Sequence, residues 1–195
     1  MISKQRIEKF MKQTQENLLK AIAGESMARN KYTFFAKVAR KEGHEWIARV
    51  FEETADNERA HAEEELEKIP ETVEMTGTYD IHPLATTLEN LKVAAIGEKQ
   101  EWGTMYPEFE KIAREEGETE IADFFKEVGE VEEKHEERYN ILATHLEKDT
   151  LYKSDTEIEW KCLNCGYIHK GTSAPEKCPV CKKPQPWYVR LGLIR

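Results

Sequence analysis

The sequence contains an internal repeat, and this repeat limits the possible folds more than any other feature. Residues 35–43 match residues 109–117 at an offset of 74 positions, and the match continues downstream in the same register. The downstream matches are Ile47, Ala48, Phe51, Glu53, Glu58, His61 and Glu63 with Ile121, Ala122, Phe125, Glu127, Glu132, His135 and Glu137. Since apolar residues recur at helical spacing in both copies, the repeat predicts two helical hairpins of one design.

Each hairpin has a glycine where its first helix is expected to end, Gly43 in one copy and Gly117 in the other. The pattern predicts four helices, at residues 4–41, 45–68, 84–115 and 119–147. A segment with Pro70, Gly77 and Pro83 joins the second helix to the third and is long enough to run along a bundle. A single long crossover is typical of ferritin-like four-helix bundles, so we predict this all-α fold for residues 1–147.

The repeat slips by one residue inside the third helix. Glu25 matches Glu98 at an offset of 73, whereas Tyr32 matches Tyr106 at 74. Helices commonly absorb a one-residue insertion as a π-bulge, so we predict one between Glu98 and Tyr106. Pro107 is an alternative cause of a disturbed helix here, because it lacks a backbone N–H.

One glutamate and one Glu-x-x-His motif in each hairpin form the first candidate site. The set is Glu25, Glu58, His61, Glu98, Glu132 and His135. A spacing of three places both side chains of each motif on one helix face. A single Glu-x-x-His match is weak, since glutamates usually face water, but random solvated glutamates would not keep the register of the apolar positions. These are the ligand types of di-iron carboxylate bundles.

Burial of these carboxylates inside a bundle would require cations to compensate their charge. Oxygen and imidazole ligands admit Fe, Mn or Zn, so the sequence does not select the metal. Glu101 breaks the repeat and lies three residues after Glu98; it is either a further ligand on one side or a solvent-facing residue. For Tyr32 and Tyr106 two interpretations are open: hydrogen bonds to ligand carboxylates, or packing between helices.

The end of the chain has a different composition and carries the second candidate site. Residues 151–195 contain four of the seven prolines and every cysteine. We predict a linker at 148–156 and a small module of strands and turns at 157–195. Two Cys-x-x-Cys pairs are a strong tetrathiolate signature: Cys162, Cys165, Cys178 and Cys181. The spacing favours Zn and Fe equally, and it disfavours disulfides.

With these residues identified, the chain resembles the rubrerythrin family along nearly its whole length. The motifs that carry the resemblance are residues 24–32, the two Glu-x-x-His motifs, residues 97–107 and the two cysteine pairs. The order of a bundle followed by a rubredoxin-like module also fits, and no ligand position is substituted.

The resemblance implies a non-haem peroxidase that reduces hydrogen peroxide to water and serves in oxidative stress defence. It implies that two bridged Fe ions are held by the six bundle residues and Glu101, with Glu101 and His61 exchanging at one iron as its oxidation state changes. It implies an Fe(Cys)4 centre that returns electrons to the pair. From the ligand types alone, Zn is a possible substitute at either site. It also implies a redox protein as donor, either a rubredoxin or a pyridine-nucleotide-dependent reductase.

Charge and hydropathy restrict the partners. A net charge of -9 opposes binding to nucleic acid. The longest apolar run near the middle of the chain, residues 93–96, is far too short for a membrane span. The polar start lacks the apolar core of a signal peptide, so we expect a cytoplasmic location.

The distance between the two candidate sites leads to an expectation about assembly. Since electron transfer slows steeply with distance, we expect a homodimer, or a higher homo-oligomer, in which one chain's cysteine module abuts the partner's bundle. Two other functions fit the same residues. The first is a ferritin-like ferroxidase or iron-handling protein, and the second is a non-catalytic helical scaffold with a zinc ribbon.

Overall fold

A computed structural model describes residues 12–193, and within this range the chain forms a helical bundle followed by a small antiparallel sheet. The helices are α1 (Gln13–Lys41), α2 (Glu45–Glu67), α3 (Thr87–Gln100), α4 (Tyr106–Glu115) and α5 (Thr119–Glu147). A π-helical segment, Glu101–Met105, joins α3 and α4 into one rod, so the bundle has four rods. The predicted fold class is confirmed. The predicted start of the first helix at residue 4 lies outside the described residues.

The third rod begins at Thr87 and not at residue 84 as the sequence predicted. Thr86 and Glu89 form a capping box, in which the Thr86 hydroxyl accepts from the Glu89 N–H at 3.3 Å and Glu89 Oε2 accepts from the Thr86 N–H at 3.1 Å. These bonds satisfy N–H groups that have no partner inside the helix and so fix its first turn. Residues 69–86 form an irregular crossover whose side chains are mostly exposed.

Both hairpin turns contain the predicted glycine in a left-handed conformation, with φ of 86° at Gly43 and 79° at Gly117. The residue after each glycine donates its N–H to a carbonyl five positions back, at 2.8 Å in both hairpins, to Ala39 and Ala113. This is a Schellman C-cap, and a side chain at the glycine position would strain it. The two turns are therefore as alike in structure as they are in sequence.

The π-helical segment confirms the bulge that the slipped repeat predicted. Its last hydrogen bond runs from the Tyr106 N–H to the Glu101 carbonyl, five residues back. Pro107 follows directly and has no N–H to donate, so the ladder is interrupted at the point where the extra residue is absorbed.

The bundle interior has two apolar layers with a polar layer between them. One layer contains Phe35, Phe51 and Leu142, and the other contains Leu18, Phe109 and Phe125. Tyr32 closes the first layer and Tyr106 closes the second. Since most of the buried acidic residues fall between these layers, the layers define the position of the candidate site along the bundle.

A glutamate in the turn of each hairpin caps the first helix of the other hairpin. The Glu116 carboxylate accepts from the backbone N–H groups of Gln13 and Thr14 at 3.1 and 3.0 Å, at the start of α1. Glu42 accepts from the Thr87 N–H at 2.9 Å in the same way, at the start of α3. A carboxylate at a helix N-terminus satisfies unpaired N–H groups and interacts favourably with the helix dipole.

The C-terminal residues form a three-stranded antiparallel sheet in the order β2-β1-β3, with β1 at Lys153–Cys162, β2 at Ile168–Ser173 and β3 at Tyr188–Arg190. Trp160 is fully buried in the core of this module. The module packs on one end of the bundle: Val189 joins the apolar layer of Phe51, and Arg49 lies over the Trp187 ring at 5.0 Å.

Residues 148–156, predicted as a linker, hold the turn after α5 and the first part of β1. The domain boundaries stay a prediction. Among residues 12–193, none of the helices is both long and apolar enough to cross a membrane.

Replacement of Glu116 by Ala is expected to lower the free energy of unfolding by about 1 kcal/mol, because two N–H groups of α1 lose their acceptor. The hydroxyl of Thr14 and the backbone N–H groups lower the pKa of Glu116. The stabilisation is therefore full at neutral pH and is lost as the pH falls through the lowered pKa. Urea denaturation at neutral and acidic pH measures both effects. Ala at the adjacent exposed Glu115 is the control, and an equal loss there would contradict the capping role.

Candidate metal centres

The structure brings the six repeated ligand candidates together at the middle of the bundle. They come from four helices: Glu25 from α1, Glu58 and His61 from α2, Glu98 from α3, and Glu132 and His135 from α5. The four glutamates are at most 1% exposed and His135 is 4% exposed. Their ligating atoms form two groups, each with all atoms within 4.8 Å of one another.

The first group is centred on His61. Its Nδ1 lies 2.9 Å from Glu132 Oε1, 3.1 Å from Glu58 Oε2 and 3.7 Å from Glu25 Oε2. Four ligand atoms at this separation can surround one metal ion. Glu25 belongs to this group alone.

The second group is centred on His135. Its Nδ1 lies 2.6 Å from Glu132 Oε2, 3.3 Å from Glu58 Oε1 and 3.8 Å from Glu98 Oε2. Glu98 belongs to this group alone, as the repeat partner of Glu25.

Glu58 and Glu132 each direct one oxygen to the first group and the other oxygen to the second. The two histidine rings face each other across the site with their centroids 6.2 Å apart. This geometry suits two neighbouring ions bridged by Glu58 and Glu132, each with one histidine and one further glutamate. The sequence predicted the ligand set but did not say which glutamates are shared.

Both predicted tyrosines hydrogen-bond to carboxylates of the site, and each bond crosses between the hairpins. The Tyr32 hydroxyl donates to Glu98, and the Tyr106 hydroxyl donates to Glu25 Oε1 at 2.5 Å. Because such bonds orient a ligand and fix its free oxygen, they hold Glu98 and Glu25 in place toward their respective groups.

Glu101 belongs to neither group of ligating atoms. It begins the π-helical segment and is partly exposed. Burial raises the pKa of its carboxyl, and the charges of Glu98 and Glu25 raise it further, which places it beside the site. Its role as a further ligand stays a prediction.

The pKa values and buried oxygens of the carboxylates show whether these residues could hold metal ions. Burial, followed by the charge of Glu58, raises the pKa of Glu98 to about 8, and burial raises the pKa of Glu25 well above its ordinary value. Buried oxygens of Glu25, Glu58, Glu98 and Glu132 crowd around the two histidine Nδ1 atoms but make no hydrogen bond of good geometry within the described residues. Unpaired buried carboxylate oxygens are costly, and cations between them would remove that cost. The residues therefore fit a di-metal centre, and iron suits them.

The sequence did not indicate two further residues at the site. Glu65 is fully buried in α2 and lies 3.2 Å from the Tyr106 hydroxyl. Gly129 of α5 faces the same tyrosine, because a Cβ at this position would lie 3.3 Å from the Tyr106 Cβ. Glu65 stands among exposed glutamates with no repeat partner of its own type, so only the helix geometry distinguishes it.

The four cysteines of the second candidate site also converge. They are free, and the Sγ atoms lie 3.6 Å apart in the pair Cys162 and Cys181 and 3.7 Å apart in the pair Cys165 and Cys178. All four sulfurs lie within 4.8 Å of one another, which suits one tetrahedrally bound ion. Cys162 and Cys178 are buried, whereas Cys165 is exposed.

The two cysteine turns are built alike. The residues after Cys165 and Cys181, Gly166 and Lys182, have φ of 76° and 63°. Their N–H groups donate to the carbonyls of Cys162 and Cys178 at 2.9 and 3.0 Å. Burial opposes ionisation of the Cys178 thiol, but backbone N–H groups of Cys181 and Val180 outweigh it and lower its pKa to about 6. The second turn therefore favours thiolates at Cys178 and Cys181, the form that binds metal.

The fold and both sites define a class of protein: a ferritin-like bundle with a carboxylate and histidine site suited to two iron ions, joined to a rubredoxin-like iron site. Family models agree, because residues 16–143 match Rubrerythrin and residues 160–187 match the rubredoxin-like domain of rubrerythrin. The chain belongs to the rubrerythrin family, whose members are generally oxidoreductases.

Relatives match along most of their length. A rubrerythrin of Porphyromonas gingivalis is 44% identical over 90% of this chain and 88% of its own length. A rubrerythrin of Nitratidesulfovibrio vulgaris is 42% identical over 92% of this chain and 95% of its own. A solved structure of nigerythrin in a mixed-valence state superposes with a TM-score of 0.63 at 35% identity, covering 97% of this chain and 91% of that one.

Without metal, the protein is expected to lose stability as the pH rises. The folded state holds a proton on Glu98 from the ordinary pKa near 4.5 up to about 8, while the unfolded state releases it. The unfolding free energy therefore falls through this interval. Bound metal replaces the proton and removes the fall, and it stabilises the folded state. Urea denaturation of metal-free and iron-loaded protein measures this, and metal-free Glu98→Gln should show a shallower fall. Equal pH dependence in both forms would contradict it.

Proposed function

We propose that the chain is a non-haem peroxidase that reduces hydrogen peroxide to water in defence against oxidative stress. One observation carries the proposal: a single chain holds a buried site for two metal ions with shared carboxylates and a tetrathiolate site suited to one-electron transfer. An iron pair can supply the two electrons that peroxide takes up, and the cysteine site can restore them singly. Storage of iron alone requires no attached electron carrier.

The residues around the site suit a small substrate. His61 is the most exposed of the six ligand candidates, with 15% of its side chain accessible, so the way to solvent is on its side of the site. Glu58 and Glu132 hold the two metal positions together, and Tyr32 and Tyr106 keep the outer glutamates oriented. The apolar layers on either side exclude larger molecules from the bundle interior.

We further propose a homodimer in which the cysteine module of one chain serves the bundle of its partner. Within one chain the module contacts α2 through Arg49, which precedes Glu58 by nine residues. Nine residues of helix span about 14 Å, so electrons within one chain must cross at least part of the bundle. An external redox protein, a rubredoxin or a pyridine-nucleotide-dependent reductase, would reduce the cysteine site at its exposed Cys165.

Stopped-flow oxidation of the chemically reduced protein tests the proposed reaction. We expect hydrogen peroxide to oxidise the iron pair much faster than dioxygen does, and we expect two electrons to be consumed for each peroxide. Metal analysis of the same sample should give iron at both sites. Faster oxidation by dioxygen would instead support the ferroxidase function, and zinc at the cysteines with no metal in the bundle would support a scaffold.

Paired variants test the roles of the two sites and the dimer together. Glu58→Ala is expected to abolish peroxide turnover and leave the visible spectrum of the cysteine site, because a shared metal ligand is lost. Cys162→Ala should abolish steady turnover but allow one oxidation of a reduced bundle.

In a dimer that transfers electrons between chains, unfolding and refolding a mixture of the two variants should restore part of the turnover. Ala at exposed Glu67 is the control, and a mixture without activity would contradict transfer between chains.

A further inference from the structure

Tyr188 places a hydroxyl group inside the cysteine module. It lies directly opposite Cys162 in the antiparallel pairing of β1 with β3. Residues opposite each other on neighbouring strands project to the same face of a sheet, so the Tyr188 ring lies on the face that carries the Cys162 sulfur. Tyr188 and Cys178 are both 0% exposed and belong to the same core cluster as Cys162.

The Tyr188 hydroxyl is buried and makes no hydrogen bond of good geometry within residues 12–193. A buried tyrosine hydroxyl usually has a partner, because burial of an unpaired hydroxyl is costly. The Cys178 sulfur acts on this hydroxyl more strongly than any other group does. Burial raises the pKa of Tyr188, and Cys178 raises it further, first as a hydrogen-bond acceptor and then through its charge.

Metal binding would complete this contact. A cysteine that binds metal does so as a thiolate, which has no proton of its own. Between Tyr188 and Cys178, only the phenol then has a proton to donate, and a negative sulfur is a better acceptor than a thiol. The unpaired hydroxyl therefore fits a loaded cysteine site, as the unpaired carboxylate oxygens fit a loaded bundle site.

The hydroxyl is separate from the cysteine turn that it faces. Backbone N–H groups of Val180 and Cys181 also act on the Cys178 sulfur, and they belong to the turn itself. The Tyr188 hydroxyl comes instead from the side chain of a different strand, β3. Replacement of Tyr188 by Phe would therefore remove one donor from the sulfur and leave the turn and the buried ring in place.

We propose that Tyr188 donates a hydrogen bond to the Cys178 sulfur of the iron-loaded module and thereby raises the reduction potential of the cysteine site. This rests on the proposed function, in which the site takes one electron from an external redox protein as its iron(III) becomes iron(II). The added electron makes the site more negative by one charge, part of which lies on the sulfurs. A hydroxyl dipole directed at a sulfur stabilises the more negative form more, so it favours reduction.

Potentiometric titration of the iron-loaded full chain tests this role. We expect Tyr188→Phe to lower the equilibrium constant for reduction about tenfold, which is about 59 mV for one electron. Tyr152→Phe is the matched control, because the Tyr152 hydroxyl is also buried and without a hydrogen bond of good geometry in the described part of the chain. The charge that acts on Tyr152 is that of Glu45 in α2, so its removal should leave the potential unchanged.

Two spectra provide readouts that do not depend on turnover. In the oxidised site, the charge-transfer bands from sulfur to iron should move to longer wavelength in Tyr188→Phe, because the sulfur electrons lose a stabilising dipole. With cadmium in place of iron, the cadmium NMR resonance of the cysteine site should shift in Tyr188→Phe and stay in place in Tyr152→Phe.

An unchanged potential in Tyr188→Phe, or an equal fall in both variants, would overturn the proposal. If Tyr188→Phe does not fold, cadmium NMR of the unchanged protein decides: a coupling between cadmium and the Tyr188 hydroxyl proton is expected, and its absence would also overturn the proposal. If the iron-loaded protein does not reduce peroxide, the proposed function fails, whereas the potentials still decide the role of Tyr188.

Discussion

The structure depends on one electrostatic constraint: four carboxylates and two imidazoles share a volume from which water is excluded. Glu58 and Glu132 each place one oxygen near His61 and the other near His135. Rotation of either carboxylate would therefore remove an oxygen from one of the two groups of ligating atoms. Within residues 12–193 the surrounding helices offer too few donors for all these oxygens, and several make no hydrogen bond of good geometry. Cations are the physical solution, because they attract all the carboxylates at once, whereas protons neutralise them singly.

The rest of the bundle holds this charge in place. An apolar layer closes the site on each side, and each layer ends in a tyrosine whose hydroxyl bonds to a glutamate of the other hairpin. The hairpins are thus tied together at the site itself, as well as by the carboxylate caps at their ends. Because these bonds cross between the repeats, a shift of one hairpin against the other would disturb both metal positions together.

Departures from the repeat give the two halves of the site different chemistry. The π-helical segment brings Glu101 to one side, where the first hairpin has no equivalent acid. Glu65 and Tyr139 occupy equivalent positions with different groups, so one side has a buried acid and the other a phenol. The two groups of ligating atoms therefore have unequal surroundings, although their ligands are related by the repeat.

The sequence by itself determined the four-rod bundle, the glycine turns, the π-helical insertion and the identity of the ligand candidates. It could do so because helical periodicity and repeat register are local properties, and because a one-residue slip between two copies is visible without coordinates. Only the tertiary structure decided that Glu58 and Glu132 are shared, that the tyrosine bonds cross between hairpins and that Glu65 is buried. These facts depend on the rotation and spacing of helices that are distant in sequence, which periodicity does not encode. A glutamate in a run of glutamates looks the same whether its helix face meets water or the Tyr106 hydroxyl.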